Sequence, residues 1–201
     1  TTAGDPYCWG RGGTAQIGNP TAAMDLCGIL SCALAPMPSA QVASFQSVTT
    51  GRMHSCAFTD NGDVHCWGEN GRGQLGVGGT GDMMAPTMVG LPVAASEVTA
   101  GRDHTCALGV DGRAFCWGDG EHGQLGIGTW ADSDMPVEVA GGLSFVEISA
   151  GFDQTCGVTA DEHVFCWGEN ARSQLGQGAS GAPSNTPLAI DLADVSRTED
   201  V

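Results

Sequence analysis

The sequence predicts an all-β fold: a β-propeller built from four-stranded blades of about 50 residues. Three observations predict it. The string Cys-Trp-Gly occurs four times, with tryptophans at Trp9, Trp67, Trp117 and Trp167, spaced 58, 50 and 50 apart. Each period holds four short alternating or β-branched runs bounded by glycine, proline and aspartate, with no convincing helical stretch. Glycine supplies 32 of the 201 residues, the turn chemistry that many short strands need. A β-solenoid or a sandwich is the competing architecture. The regular four-strand unit with a fixed tryptophan favours the propeller.

Each repeat carries two signatures in a fixed order. The first is Gly51-Arg52-Met53-His54-Ser55-Cys56, then Gly101-Arg102-Asp103-His104-Thr105-Cys106, then Gly151-Phe152-Asp153-Gln154-Thr155-Cys156. The second follows each Cys-Trp-Gly: Ala15-Gln16-Ile17-Gly18, Gly73-Gln74-Leu75-Gly76, Gly123-Gln124-Leu125-Gly126 and Ser173-Gln174-Leu175-Gly176. The long first spacing is one repeat plus an eight-residue insertion between Gly18 and Gly51. The approximate units are 7–58, with the insertion in 19–36, then 59–108, 109–158 and 159–201. One unit is expected to place strands at Thr87–Leu91, Glu97–Ala100, His104–Leu108 and Ala114–Trp117. About fifteen strands are expected in all, one short of four blades.

The motif Gly-x-x-His-[Ser/Thr]-Cys-Ala, then Asp-Gly, then Cys-Trp-Gly-x-Asn-x-x-Gly-Gln-Leu-Gly resembles the regulator of chromosome condensation repeat family, over nearly the whole chain. The resemblance implies a typically seven-bladed propeller. Its members include an exchange factor for a small GTPase that also binds nucleosomes, and a secreted bacterial inhibitor of β-lactamases. The doubled cysteines look most like secreted, disulfide-bearing bacterial members. Four blades fit a portion of a longer array best. A small closed propeller, or an array completed by other chains, are the alternatives. Uncovered blade faces at both ends would invite association.

Six of nine cysteines fall into pairs ten residues apart. A three-residue loop Asp60-Asn61-Gly62, with its glycine left-handed, pairs Phe58 with Val64 and Cys56 with Cys66. The two sulfurs then face each other on one sheet surface. The same arithmetic joins Cys106 to Cys116 and Cys156 to Cys166, although Glu162 stands where the third loop wants glycine. In this register each tryptophan points away from its neighbouring cysteine, toward the adjacent blade. Metal binding is the rival reading, but no Cys-x-x-Cys element exists. Cys27 and Cys32 are expected to close a small loop within the insertion. Cys8 is left over, its partner expected from a strand before residue 1 or after Val201. Several disulfides imply the periplasm, the cell surface or the medium.

The charge of −16, with seven basic residues and no lysine, argues against nonspecific binding to nucleic acid or to anionic membrane. No apolar run is long enough to span a bilayer. Catalytic motifs are absent: no Gly-x-Ser-x-Gly, no Ser-x-x-Lys, and no lysine for a phosphate loop. His54 and His104 recur at one register where Gln154 follows, so they read as strand-end hydrogen-bonding residues. Glu69, Asp119 and Glu169 also recur and read as a solvated acidic face. The segments after each Gln-Leu-Gly vary, and they carry Met24, Leu26, Met83, Met84, Trp130 and Met135. Large apolar side chains on loops mark a candidate contact rim.

The expectation is therefore a non-enzymatic extracellular, periplasmic or cell-surface propeller without cofactor. It would bind a protein partner or itself through variable loops and open blade ends, with no nucleic acid and no membrane insertion. Two alternatives remain open at this level. One is a guanine-nucleotide exchange factor, by family resemblance. The other is a polysaccharide-acting enzyme using the recurrent carboxylates.

Overall fold

The computed structural model describes residues 7–11, 13, 15–19, 25–27, 30–38, 44–178 and 181–190. They form fifteen strands and no helix. Three antiparallel four-stranded sheets account for twelve of them. The first is β4 (Phe45–Thr50), β5 (His54–Thr59), β6 (Val64–Gly68) and β7 (Met83–Met88). The second is β8 (Ala95–Ala100), β9 (His104–Gly109), β10 (Ala114–Gly118) and β11 (Ser133–Glu138). The third is β12 (Phe145–Ala150), β13 (Gln154–Thr159), β14 (Val164–Gly168) and β15 (Ser184–Ala189). In each the strands pair in sequence order, as in a propeller blade. The units 59–108 and 109–158 therefore each give two strands to one sheet and two to the next.

A fourth sheet has the order β1-β3-β2, from β1 (Tyr7–Arg11), β2 (Asp25–Cys27) and β3 (Leu30–Pro38). Its β1 carries Cys8-Trp9-Gly10 and so occupies the third-strand role. The hairpin of β2 with β3 falls in the insertion. Cys32 is disulfide-bonded, whereas the side chain of Cys27 lies outside the described residues.

The hairpin register is the one the loop chemistry dictates. Phe58 faces Val64 and Cys56 faces Cys66, and the other two sheets repeat this with Cys106–Cys116 and Cys156–Cys166. All three pairs are bonded, each with Cα atoms 4.1 Å apart. Gly62 and Gly112 are left-handed, at φ 81° and 83°. Glu162 adopts the same conformation at φ 66°, so the third loop keeps the geometry and absorbs the strain of a side chain there.

The outermost strand begins earlier than the sequence reading placed it. It runs Met83–Met88 rather than Thr87–Leu91. Pro86 lies inside it, as Pro136 and Pro187 do in β11 and β15. These are edge strands, where a residue without an N–H breaks no ladder bond. The register also shifts between Cys66 and Gly68. A reading that treats proline as a strand boundary misses this.

The core lies between the sheets. Trp67, Trp117 and Trp167 are fully buried, each on a third strand. Each indole sits on a glycine of the preceding repeat: Trp67 on Gly18, Trp117 on Gly76 and Trp167 on Gly126. Those glycines are left-handed, and a Cβ on any of them would lie 2.6–2.7 Å from the indole nitrogen. Trp9, in the same motif, is 65% exposed.

Two glycine substitutions separate this contact from backbone strain. Gly126 and Gly128 are both left-handed, at φ 68° and 82°, but only Gly126 lies under an indole. Gly128→Ala is expected to cost about 1 kcal/mol for the left-handed backbone alone. Gly126→Ala is expected to cost about 1–3 kcal/mol more, from overpacking. Urea denaturation of both variants checks this, and equal costs would refute the indole contact.

Candidate interaction surface

The surface that recurs is the face one blade offers the next. At the first junction the Gln74 carbonyl accepts two hydrogen bonds, from Trp117 Nε1 at 2.9 Å and from the Thr105 hydroxyl at 2.8 Å. His54 Nε2 lies 2.8 Å from the same hydroxyl oxygen. The hydroxyl proton is committed to the carbonyl, so His54 must donate through Nε2. The second junction repeats the set: Trp167 Nε1 at 3.0 Å and the Thr155 hydroxyl at 2.9 Å to the Gln124 carbonyl, with His104 Nε2 at 2.9 Å from Thr155. Trp67 Nε1 donates to the Gln16 carbonyl at 3.0 Å. The glutamine side chain shapes its own turn, since Gln74 Oε1 accepts the Arg72 amide at 2.8 Å.

His54 and His104 are thus hydrogen-bonding residues at the starts of their strands. Both are buried, and burial lowers their pKa values to about 4 and about 3. In each the Nδ1 atom has no hydrogen-bond partner. The ring packs against the first glycine of its signature, Gly51 or Gly101, where any Cβ would collide with it.

A second ladder runs along the start of each signature. The Arg52 amide donates to the Arg102 carbonyl at 3.1 Å, and the Arg102 amide to the Phe152 carbonyl at 3.0 Å. Arg52 pairs with Asp103 at 3.3 Å, and Arg102 with both Asp103 and Asp153. The Arg102 guanidinium also lies 5.0 Å from the centre of the Phe152 ring. Charge and cation–π contact therefore reinforce the backbone link between blades.

The third sheet carries the same face. There a cleft of about 650 Å³ is lined by Phe152, Asp153, Gln154, Glu169, Arg172 and Gln174. Phe152 is 64% exposed. Over Gly176, where an indole sits at the earlier positions, the nearest side chain is Ile190. A cleft of about 610 Å³ lies at the other end of the array, between β1 and the first sheet, with Tyr7, Trp9, Val48 and Met53 in its walls.

The sequence-predicted contact residues divide. Met84, Trp130 and Met135 are exposed. Met83 is half-buried and packs on the core. Met24 and the side chain of Leu26 lie outside the described residues. Met83, Met84 and Met135 belong to the edge strands β7 and β11 rather than to loops. Sequence reasoning missed Phe152 and Met88, both exposed. Phe152 was legible as the aromatic that stands where Arg52 and Arg102 stand.

The recurrent carboxylates do not form a solvated acidic face. Asp119 is 4% exposed and Glu69 and Glu169 are half-buried. Burial raises the pKa of Asp119, although its Oδ1 accepts the Glu121 amide. Glu169 accepts the amides of Asn170 and Ala171 and lies 3.0 Å from His122 Nδ1. These carboxylates follow the Trp-Gly pair into the turn, which carries them into the packed region and commits Asp119 and Glu169 to local backbone amides. Among the described residues no three of His, Cys, Asp and Glu come together as a metal site. No helix of the described chain is long and apolar enough to cross a membrane.

Stacked four-stranded sheets joined by this interlock define a β-propeller repeat protein. Family models for the regulator of chromosome condensation (RCC1) repeat match residues 45–74, 95–124 and 145–174 in one form, and 61–108 and 111–158 in another. The chain belongs to the RCC1 repeat family. It is 30% identical over 89 residues to the E3 ubiquitin-protein ligase HERC2 of Homo sapiens, a stretch that is 44% of this chain and 2% of that protein. Human WBSCR16 is similar in structure, with a TM-score of 0.82 at 25% identity, over 96% of this chain and 49% of that one. Yeast RCC1 (Prp20), in its complex with Kap60, gives 0.81 at 22% identity, over 95% and 45%. A structure of Prp20p from Saccharomyces cerevisiae gives 0.79 at 21% identity, over 94% and 46%. The chain thus spans about half the length of these propellers and a small part of HERC2.

The buried histidines set an acid limit on the junctions. Their folded pKa values lie below the unfolded value near 6.5, so junction stability is fully present above that value. It falls as pH drops from about 6.5 toward about 4 for His54 and about 3 for His104. Urea midpoints are expected to decline over this interval. His104→Gln, which copies Gln154, should flatten the decline. A profile unchanged by that substitution would refute the assignment.

Proposed function

We propose that this chain acts as a non-enzymatic protein-interaction or self-assembling propeller module in an oxidising space: the medium, the periplasm or a cell surface. The observation that carries this reading is the face of the third sheet. It repeats, at Gln174 and Gly176, a face that twice receives a folded β-blade in the same molecule, and its Asp153 matches Asp103 of the second of these faces. Phe152 adds an exposed aromatic to it. Such a face fits a protein surface. Exposed Met84, Trp130 and Met135 offer further apolar contact along the outer edge. The oxidising location rests on three disulfides.

Similar propellers have protein partners: yeast RCC1 (Prp20) is bound to Kap60 in one structure, and Prp20p from Saccharomyces cerevisiae binds Gsp1p and histones. The exchange-factor reading has only this likeness of fold behind it, and a disulfide-stapled chain is poorly matched to a GTPase partner.

Light scattering after size exclusion tests the face. The oxidised chain is expected to run above its 20.4 kDa monomer mass or to capture a protein ligand, and Phe152→Asp to weaken either association at least tenfold. A strict monomer that captures nothing would refute the reading. Location is tested separately by mass spectrometry of non-reduced native material. Free thiols at Cys106 and Cys116 would exclude an oxidising compartment.

A further inference from the structure

One corner of the first sheet departs from its two sisters. In the second sheet the hairpin end is closed by the chain's own cation. Arg113 donates from Nε to Asp111 at 2.8 Å and from Nη1 to Glu138 at 3.1 Å, and its guanidinium lies 5.2 Å from the centre of the Phe115 ring. The third sheet puts His163 at that position, with Nδ1 2.9 Å from Asp161. In the first sheet the 50-residue period replaces Arg113 with Asp63, Phe115 with His65, Glu138 with Met88 and Val110 with Asp60.

The consequence is an acidic cleft where the sisters carry a base. It has a volume of about 350 Å³ and is lined by Thr59, Asp60, Asn61, Asp63, His65 and Met88. Asp60, Asn61 and Asp63 are exposed, and neither aspartate enters an ion pair among the described residues. His65 is 7% exposed, stands edge-on to Phe45 at 5.5 Å, and leaves its Nδ1 without a hydrogen-bond partner. Met88 faces it directly across the strand pair.

We propose that this cleft receives an arginine side chain of a protein partner, its guanidinium held by Asp60 and Asp63 and its stem lying along Met88. The inference rests on the protein-interaction reading above and names a partner chemistry for it. Three observations favour arginine. The second sheet shows a guanidinium accommodated beside carboxylates and a flat ring at the corresponding corner; in the first sheet Asn61 and Met88 replace Asp111 and Glu138, and Asp60 and Asp63 supply the carboxylates from neighbouring positions. Arginine is planar and weakly hydrated, and keeps its charge when half-buried. The chain carries a net charge of −16 with no lysine, so a basic partner is steered toward it at long range. A metal ion fits less well, because no three acidic or imidazole side chains converge there.

The test is ¹⁵N NMR of the oxidised chain titrated with a capped Gly-Gly-Arg-Gly-Gly peptide and with its citrulline twin, which has the same shape and no charge. The arginine peptide is expected to shift the amides of 59–65 saturably, and the citrulline peptide to leave them in place. Asp63→Asn should weaken binding at least fivefold, and Glu147→Gln, an equal loss of charge elsewhere, should not. Asp63→Arg should abolish the response by filling the cleft from within. Its folding is checked by an unchanged melting point, since Arg113 occupies the same position in the second sheet. Shifts spread over the whole acidic surface, equal responses to both peptides, a response appearing only with added Zn²⁺, or an undiminished response in folded Asp63→Arg would each overturn the proposal. Association through Phe152 is measured separately, so failure here leaves that reading standing.

Discussion

The structure depends on one carbonyl per junction. The Gln74 and Gln124 carbonyls each accept an indole N–H and a threonine hydroxyl from the following blade. Both lone pairs are satisfied where water is excluded, and an unmet partner there would cost about 1–3 kcal/mol. The geometry exists only because the residue two positions on is glycine: Gly76 and Gly126 let the indole lie flat on the backbone. The short motif Gln-Leu-Gly therefore serves as a socket and the distant Cys-Trp-Gly as its plug. The histidine that steadies the threonine belongs to the same blade as the socket, so each junction holds a hydroxyl of one blade between two groups of its neighbour.

The disulfides protect that arrangement from a particular failure. Strand register has a period of two, so a slip of one residue between second and third strands would turn the indole to the wrong face. Cys56–Cys66 and its two counterparts join those strands one residue away from the tryptophan. Each closes a ten-residue separation, worth roughly 2–3 kcal/mol in the chain-entropy picture. Its larger service is to remove the slipped register from the accessible states. The Cys56 and Cys106 sulfurs also lie 3.9 Å from the Thr105 and Thr155 hydroxyls, so the staple and the interlock share one packed layer.

Hairpin pairing, the three cysteine pairs ten residues apart and the direction of Trp67, Trp117 and Trp167 were legible in the sequence because all three follow from local arithmetic. Loop length sets register, and register sets facing. The fourth strand was misplaced because Pro86 reads locally as a boundary, whereas only the sheet order reveals an edge where proline is harmless. Glu69, Asp119 and Glu169 were misread for a related reason. An acidic residue after glycine looks solvated, but the turn carries it into the packed region, a relation that spacing within one repeat does not contain. The contact residues divided on the same ground: Met83 and Met84 are adjacent in sequence, yet the pleat sends one to the core and the other to solvent.

What a repeat protein can vary is set by what its junctions consume. Positions that build the socket, plug and staple are spent in each sheet, which is why Trp117 and Trp167, or Gly76 and Gly126, play identical parts. The outer hairpin corner is free of those duties. There the three sheets diverge in charge, with Asp63, Arg113 and His163 at one register. Asp63 can be acidic because the neighbouring ladder and core do not need it neutralised, and Arg113 can be basic because Asp111 and Glu138 lie beside it. A chain with so few cations leaves one of these corners without a base. The two surfaces proposed for recognition, this corner and the aromatic edge of the third sheet, are both places where change leaves the junction carbonyls undisturbed.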